Sequence, residues 1–230
     1  EPDFPTPAHI VEAAAAACRE VRYHRYSPAA GLPALREAIA AKTLRDSGYA
    51  VDPAQVVVTN GGKHAVYNAC VTLLDPGDEV LLPAPYWTTY PEAITLAGGV
   101  PVVVQTDEST GFKVTVEQLD AALTPRTKVL FLGYPCNPTG AVLTPGTARA
   151  LAAIADRHDL LVISDEIWAD LVFSGSRHIP FASLSGAAEA RTITATAASK
   201  TFNMAGLRCA VAHIGNADIE RRIAELPGHL

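Results

Sequence analysis

From Val56 onward, short runs rich in valine, isoleucine and leucine alternate with helical stretches, and this alternation restricts the fold more than any other feature. Strands are expected over Val56–Thr59, Glu79–Leu82, Val100–Val104, Lys128–Leu132, Leu160–Ser164, Thr192–Thr196 and Cys209–Ile214. Helices are expected near Lys63–Leu74, Thr88–Leu96, Val116–Leu123, Pro145–His158 and Ala217–Leu226. Strands that are apolar on both faces, each followed by a helix, build a mostly parallel sheet covered on both sides. The fold class is therefore α/β, with three layers (α/β/α) around a mostly parallel seven-stranded sheet. No repeat or low-complexity linker interrupts the pattern, so residues 1–230 read as one domain.

Upstream, residues 7–20 read as an alanine-rich helix with Thr6 as N-cap and Pro7 at its first position. Residues 23–31 read as a loop. Leu32–Ser47 reads as a second helix with Leu35, Ile39 and Leu44 on a shared apolar face, ended by Gly48. Both ends read as cut: Glu1-Pro2-Asp3-Phe4 opens without a cap or leader, and the chain stops soon after its last helix.

With 230 residues, 49% of them hydrophobic, the chain can bury a sizeable core. Its net charge of −6, with both signs interspersed, argues against a nucleic-acid surface. No apolar run approaches the ~20 residues of a membrane-spanning helix. Cys18, Cys70, Cys136 and Cys209 lie far apart and form no CxxC pair. That spacing disfavours zinc or a disulfide framework and fits buried free thiols in a reducing cytoplasm, with no metal expected.

In open α/β sheets ligands sit beyond the carboxyl ends of the strands. Those ends carry Asn60-Gly61-Gly62-Lys63, Tyr86-Trp87, Asn137-Pro138-Thr139-Gly140, Asp165-Glu166 and Ser199-Lys200. Polar residues and glycines thus recur on the one edge where a ligand binds. Lys200 follows a β-branched run and small residues into a turn. By itself it fits a surface position equally well; buried, its ammonium is costly unless the amine has a task such as attack on a carbonyl. Gly61 and Gly62 open a helix whose free N–H groups suit an anion, although alone they describe an ordinary tight turn. Neither a P-loop nor GxGxxG occurs, so nothing indicates a nucleotide and a nicotinamide-dependent dehydrogenase is disfavoured.

Asn137-Pro138-Thr139-Gly140, Ser164-Asp165-Glu166-Ile167 and Ser199-Lys200 with Gly206 and Arg208 resemble the class I/II aminotransferase family of fold-type I pyridoxal-phosphate (PLP) enzymes. The spacings match too: 28 residues from Asn137 to Asp165, 35 from Asp165 to Lys200, and 8 from Lys200 to Arg208. YSPAAGLPALREAIA (26–40), VVVTNGGKHAVYNA (56–69) and residues 75–99 match the same family in order, so the resemblance spans the whole chain.

The resemblance implies a role for each matching residue. Lys200 carries pyridoxal 5′-phosphate as a Schiff base and then serves as general base and acid. Asp165 pairs with the pyridinium nitrogen, and Asn137 hydrogen-bonds the ring's 3′-oxygen; the resemblance also points to a cis bond between Asn137 and Pro138. Trp87 stacks on the ring. Arg208 and Ser199, with the backbone at Gly61, Gly62 and Lys63, bind the phosphate. Tyr26 reaches the phosphate of the partner subunit, which implies a homodimer.

Two positions depart from the family pattern. Trp168 stands where most relatives have tyrosine, and an indole N–H donates but cannot ionise. Ala197 replaces a frequent serine or threonine, a loss for which Thr196 or Ser199 is the expected compensation.

The implied activity is transfer of an amino group between an amino acid and a 2-oxo acid, small molecules met in the cytoplasm. Residues 164–215 also resemble the cystathionine-type C–S β-lyase branch, so β-elimination is the alternative. His178 is either a substrate-side group or a structural loop histidine. A third reading, from another class, is a non-catalytic regulator, because some bacterial regulators carry this fold behind a DNA-binding domain. The arginine that grips the substrate carboxylate is expected in a C-terminal small domain, which is missing from residues 1–230, as is the N-terminal arm.

Overall fold

The computed structural model describes residues 3–225. Seven strands form one sheet: β1 (Val56–Thr59), β2 (Glu79–Ala84), β3 (Val100–Gln105), β4 (Thr127–Gly133), β5 (Leu161–Asp165), β6 (Thr192–Ala197) and β7 (Ala210–Ile214). Their order is β1-β7-β6-β5-β4-β2-β3. Only β7 opposes the rest, pairing antiparallel with both β1 and β6. Each expected strand is present, shifted by a residue or two at most.

The helices are α1 (Ala8–Ala17), α2 (Pro33–Ser47), α3 (Gly62–Leu73), α4 (Thr89–Leu96), α5 (Val116–Ala122), α6 (Pro145–Arg157), α7 (Gly186–Glu189), α8 (Ala198–Thr201) and α9 (Ala217–Glu225). Side chains alternate across the sheet as the pleat requires. Val80, Leu82, Val129 and Phe131 face α3, α4 and α9, packing with Val66, Leu73, Ile94 and Ile219. Leu81, Leu130 and Leu132 face α5 and α6, packing with Leu119, Leu151 and Ile154. Each such side chain contributes roughly 1.5–3 kcal/mol on burial, which makes the middle of the sheet the rigid part of the molecule.

Several expectations fail at the N-terminal end. Thr6 does not cap α1: Pro7 occupies the cap position, and the Thr6 hydroxyl donates instead to the Asn203 carbonyl. Part of the expected loop is a 3-10 turn, Val21–His24. In α2 the proposed apolar face is not buried as a unit. Leu35 and Leu44 are exposed, Ala40 is the helix's buried residue, and Ile39 alone packs inward, against Val51, Val56 and Val211. Between α2 and strands β6 and β7 lies a cavity of about 680 Å³. The cysteines are all free, but Cys18 is exposed and Cys209 only half-buried, so burial describes Cys70 and Cys136 alone. The expected end of the last helix at Leu226, Glu1-Pro2 and residues 226–230 lie outside the described residues.

Candidate active site

At the carboxyl ends of the parallel strands lies a cavity of about 410 Å³. Each of its parts arrives by a short connection from the sheet. Thr59 ends β1, and Gly61 turns the chain with φ 88° into α3. A side chain on Gly62 would meet the Ile167 Cδ1 atom at 2.4 Å, so a larger residue there would have to turn Ile167 aside. Asp165 is the last residue of β5, and β6 runs directly into the single turn α8 that presents Lys200. Lys200 therefore sits on a short helix, half-buried, where an open turn was expected.

Gly61, Gly62, Lys63, Trp87, Asn137, Asp165, Trp168, Ser199, Lys200 and Arg208 all line this one cavity, together with Ala197 and Gly206. Of the cofactor-binding residues that the resemblance implies, Tyr26 alone is elsewhere. It is fully exposed and does not line its own chain's cavity. The Asn137–Pro138 bond is cis. His178 does not line the cavity; its Nε2 lies 2.6 Å from Oε2 of the buried Glu166, whose Oε1 accepts from the Phe181 N–H and the Ser164 hydroxyl. The histidine is a structural clamp on the 178–181 segment. Thr196 faces the cavity under α2, near His213, whereas Ser199 lines the same cavity as Lys200 and Arg208.

Asp165 is only 6% exposed and has no cationic partner among the described residues. Burial pushes its carboxyl up to about 6, against the hydrogen bonds from the Ile167 N–H at 3.0 Å and the Tyr90 hydroxyl at 2.7 Å. Across the cavity lining the charge is positive. Arg208, held at φ 53°, makes no ion pair among the described residues. At the start of α3 the Gly62 and Lys63 N–H groups have no partner among those residues either. Lys63 lies 5.5 Å from the Trp87 ring centroid and Lys200 5.0 Å from that of Trp168, both cation–π contacts.

A buried carboxylate, a helix N-terminus with an unpaired guanidinium, two indoles and two amines fit a flat cationic heterocycle that bears a phosphate and a carbonyl. Sequence reading missed Tyr90 and Ile167. An aromatic three residues after Trp87 on a helix reads as core, and nothing local signals that its hydroxyl meets Asp165.

The aminotransferase class I and II family model matches residues 1–229. The chain belongs to that family. The aspartate aminotransferase of Streptomyces avermitilis is 51% identical over 229 residues, 100% of this chain and 56% of that protein. That of Geobacillus stearothermophilus is 44% identical over the same length, 58% of that protein. Among solved structures, the aspartate aminotransferase from Rhizobium meliloti superposes with a TM-score of 0.92 at 36% identity. It is matched over 97% of this chain and 56% of its own. The Thermus thermophilus enzyme with maleate gives 0.89 at 42%, covering 98% of this chain and 58% of that one. The chain thus spans a little over half the length of these relatives. Aminotransferases of this family use pyridoxal phosphate, which agrees with the lining just described. The relatives are named aminotransferases over the second half of the chain as well, so the lyase alternative is not favoured.

Proposed function

We propose that the protein of which these residues are part is a PLP-dependent aminotransferase, exchanging an amino group between an amino acid and a 2-oxo acid. Aspartate, named in several relatives, is the first amino acid to test. The observation that carries this reading is the buried Asp165 carboxylate, left without a cation in the same cavity as the Lys200 amine.

When bound, the cofactor supplies an electron sink for the charge formed at the substrate α-carbon. The chain's own residues do the rest. Lys200 would hold the cofactor's carbonyl carbon through Nζ, with loss of water, and once displaced from that carbon by the substrate's amino group its free amine would move the proton at the α-carbon. Asp165 holds a proton on the ring nitrogen, and the Asn137 amide donates to the 3′-oxygen. Arg208, the Ser199 hydroxyl and the N–H groups of Gly62 and Lys63 bind the phosphate. Trp87 covers the ring, and the Trp168 indole lies beside Lys200 where it can only donate.

The exposure of Tyr26 supports its use by a second copy of the chain, and so a homodimer. Among the described residues no helix is long and apolar enough to cross a membrane. A cytoplasmic location is proposed from the four free cysteines, which suit a reducing compartment.

The test is an assay of the full-length protein with aspartate and 2-oxoglutarate, and separately with an S-substituted cysteine. Acceptor-dependent formation of glutamate is the expected result. Pyruvate, ammonia and free thiol from the cysteine derivative, with no exchange, would assign it to the lyases.

A further inference from the structure

We propose that Tyr90 is a positioning residue for this chemistry: its hydroxyl fixes the Asp165 carboxylate and keeps the shared proton on the cofactor nitrogen. The inference rests on the reading of Asp165 given above and assigns a task to a side chain outside that set.

A carboxylate with one anchored oxygen can still turn about its terminal torsion. In Asp165 both oxygens are tied. Oδ1 accepts from the Ile167 N–H at 3.0 Å and Oδ2 from the Tyr90 hydroxyl at 2.7 Å, the one side-chain donor it has among the described residues.

The phenol itself is held from three sides. Its ring lies 4.2 Å from the Phe131 centroid and meets Trp87 edge-on at 5.7 Å. On the third side is Gly133 of β4, where a Cβ would stand 2.8 Å from the Tyr90 oxygen and 3.1 Å from Cε2. With Phe131 and Trp87 on its other sides, a methyl group at 133 would have to push the hydroxyl away from its place against Asp165. Glycine is needed at 133 to leave the hydroxyl in reach of Asp165.

Two opposing influences act on the carboxylate. Burial favours its protonated form, while the two donors favour its charged form. When Asp165 faces a protonated ring nitrogen, a single proton lies between two bases. Every donor on the carboxylate moves that proton toward nitrogen, and loss of a donor returns it to oxygen. Tyr90 is suited to be the permanent donor. Burial and the neighbouring Asp165 charge hold its phenol well above the usual 10, so it keeps its hydrogen throughout the working range. A hydrogen bond to a charged acceptor, deleted, shifts such a balance about tenfold or more. A tyrosine present for packing alone would leave it unchanged.

The experiment loads the full-length protein with pyridoxal phosphate labelled with 15N in the ring and compares the ring-nitrogen shift at pH 7.5, roughly the working range. The variants are Tyr90→Phe, Gly133→Ala and Asp165→Asn. In the parent the nitrogen is expected in its protonated position, and in Asp165→Asn fully in its unprotonated position. Tyr90→Phe keeps the ring volume and is expected to move the signal toward the unprotonated position, with about a tenfold change in the proton distribution. Gly133→Ala, which displaces the same hydroxyl without touching Tyr90, is expected to move it the same way. If Asp165→Asn loses the ring proton while Tyr90→Phe keeps the parent signal, Tyr90 is packing and the proposal is overturned. If Asp165→Asn itself keeps the ring proton, Asp165 does not face the nitrogen, and the reading beneath the proposal fails with it.

Discussion

Asp165 is held against its preference in the cavity, because burial keeps its carboxyl at about 6 where 3.8 is usual. A carboxyl raised in the folded state stabilises the fold below its unfolded value, and that contribution is lost as pH rises through the folded value. The difference of about 2 pH units is worth on the order of 3 kcal/mol, lost between about pH 4 and pH 6. In the cofactor-free protein, Asp165→Asn is therefore expected to raise stability at pH 7 by up to about 3 kcal/mol, read from urea midpoints. Equal or lower stability in the variant would mean that the carboxylate is not held against its preference. Sequence alone pointed to Asp165 as the end of a strand beside a lysine-bearing edge. It could not reveal Tyr90 or Ile167, whose contacts with the carboxylate depend on how α4 and the loop after β5 pack against β4 and α3.

At the scale of elements, the anion pole depends on α3 starting where it does. Gly61 takes φ 88°, and the helix has no side-chain cap, so its first N–H groups remain free for a ligand. Gly61→Ala forces an L-residue into a region open essentially to glycine, at a cost of about 1–3 kcal/mol, and brings a Cβ to 3.6 Å from the Arg208 Cδ. The cofactor dissociation constant measured by equilibrium dialysis should rise about tenfold, with the thermal midpoint falling in parallel. The strands were legible because runs such as Val129–Leu132 are apolar on both faces, as a sheet covered on both sides requires, and are separated by helical stretches. The face of α2 was not, since Leu35 and Leu44 keep helical spacing whether or not anything covers them. Likewise Thr196 seemed a neighbour of Ala197 in sequence, yet the pleat sends it to the opposite side of the sheet.

For the molecule as a whole, two buried groups titrate against each other across the sheet. His213, buried in β7 under α2, is lowered to about 4 from 6.5, chiefly by burial, with Lys42 also lowering it and Glu166 opposing. A histidine depressed in the folded state contributes stability above its unfolded value, and that contribution disappears as pH falls through the folded value. Its loss of on the order of 3 kcal/mol spans about pH 6.5 down to pH 4, the same window in which Asp165 acts with opposite sign. The cofactor-free protein should therefore show a nearly flat stability profile from about pH 4.5 to 6. His213→Gln should tilt it downward with rising pH and Asp165→Asn downward with falling pH; parallel profiles for all three would contradict the assignment. The central claim, that this cavity holds its cofactor through one amine, faces a direct alternative, because Lys63 lines the same space as Lys200. Borohydride reduction of the cofactor-loaded full-length protein followed by peptide mass mapping separates them. The reduced cofactor is expected on Lys200, with none bound covalently in Lys200→Ala; a label on Lys63, or no label in the parent protein, would contradict the role given to Lys200.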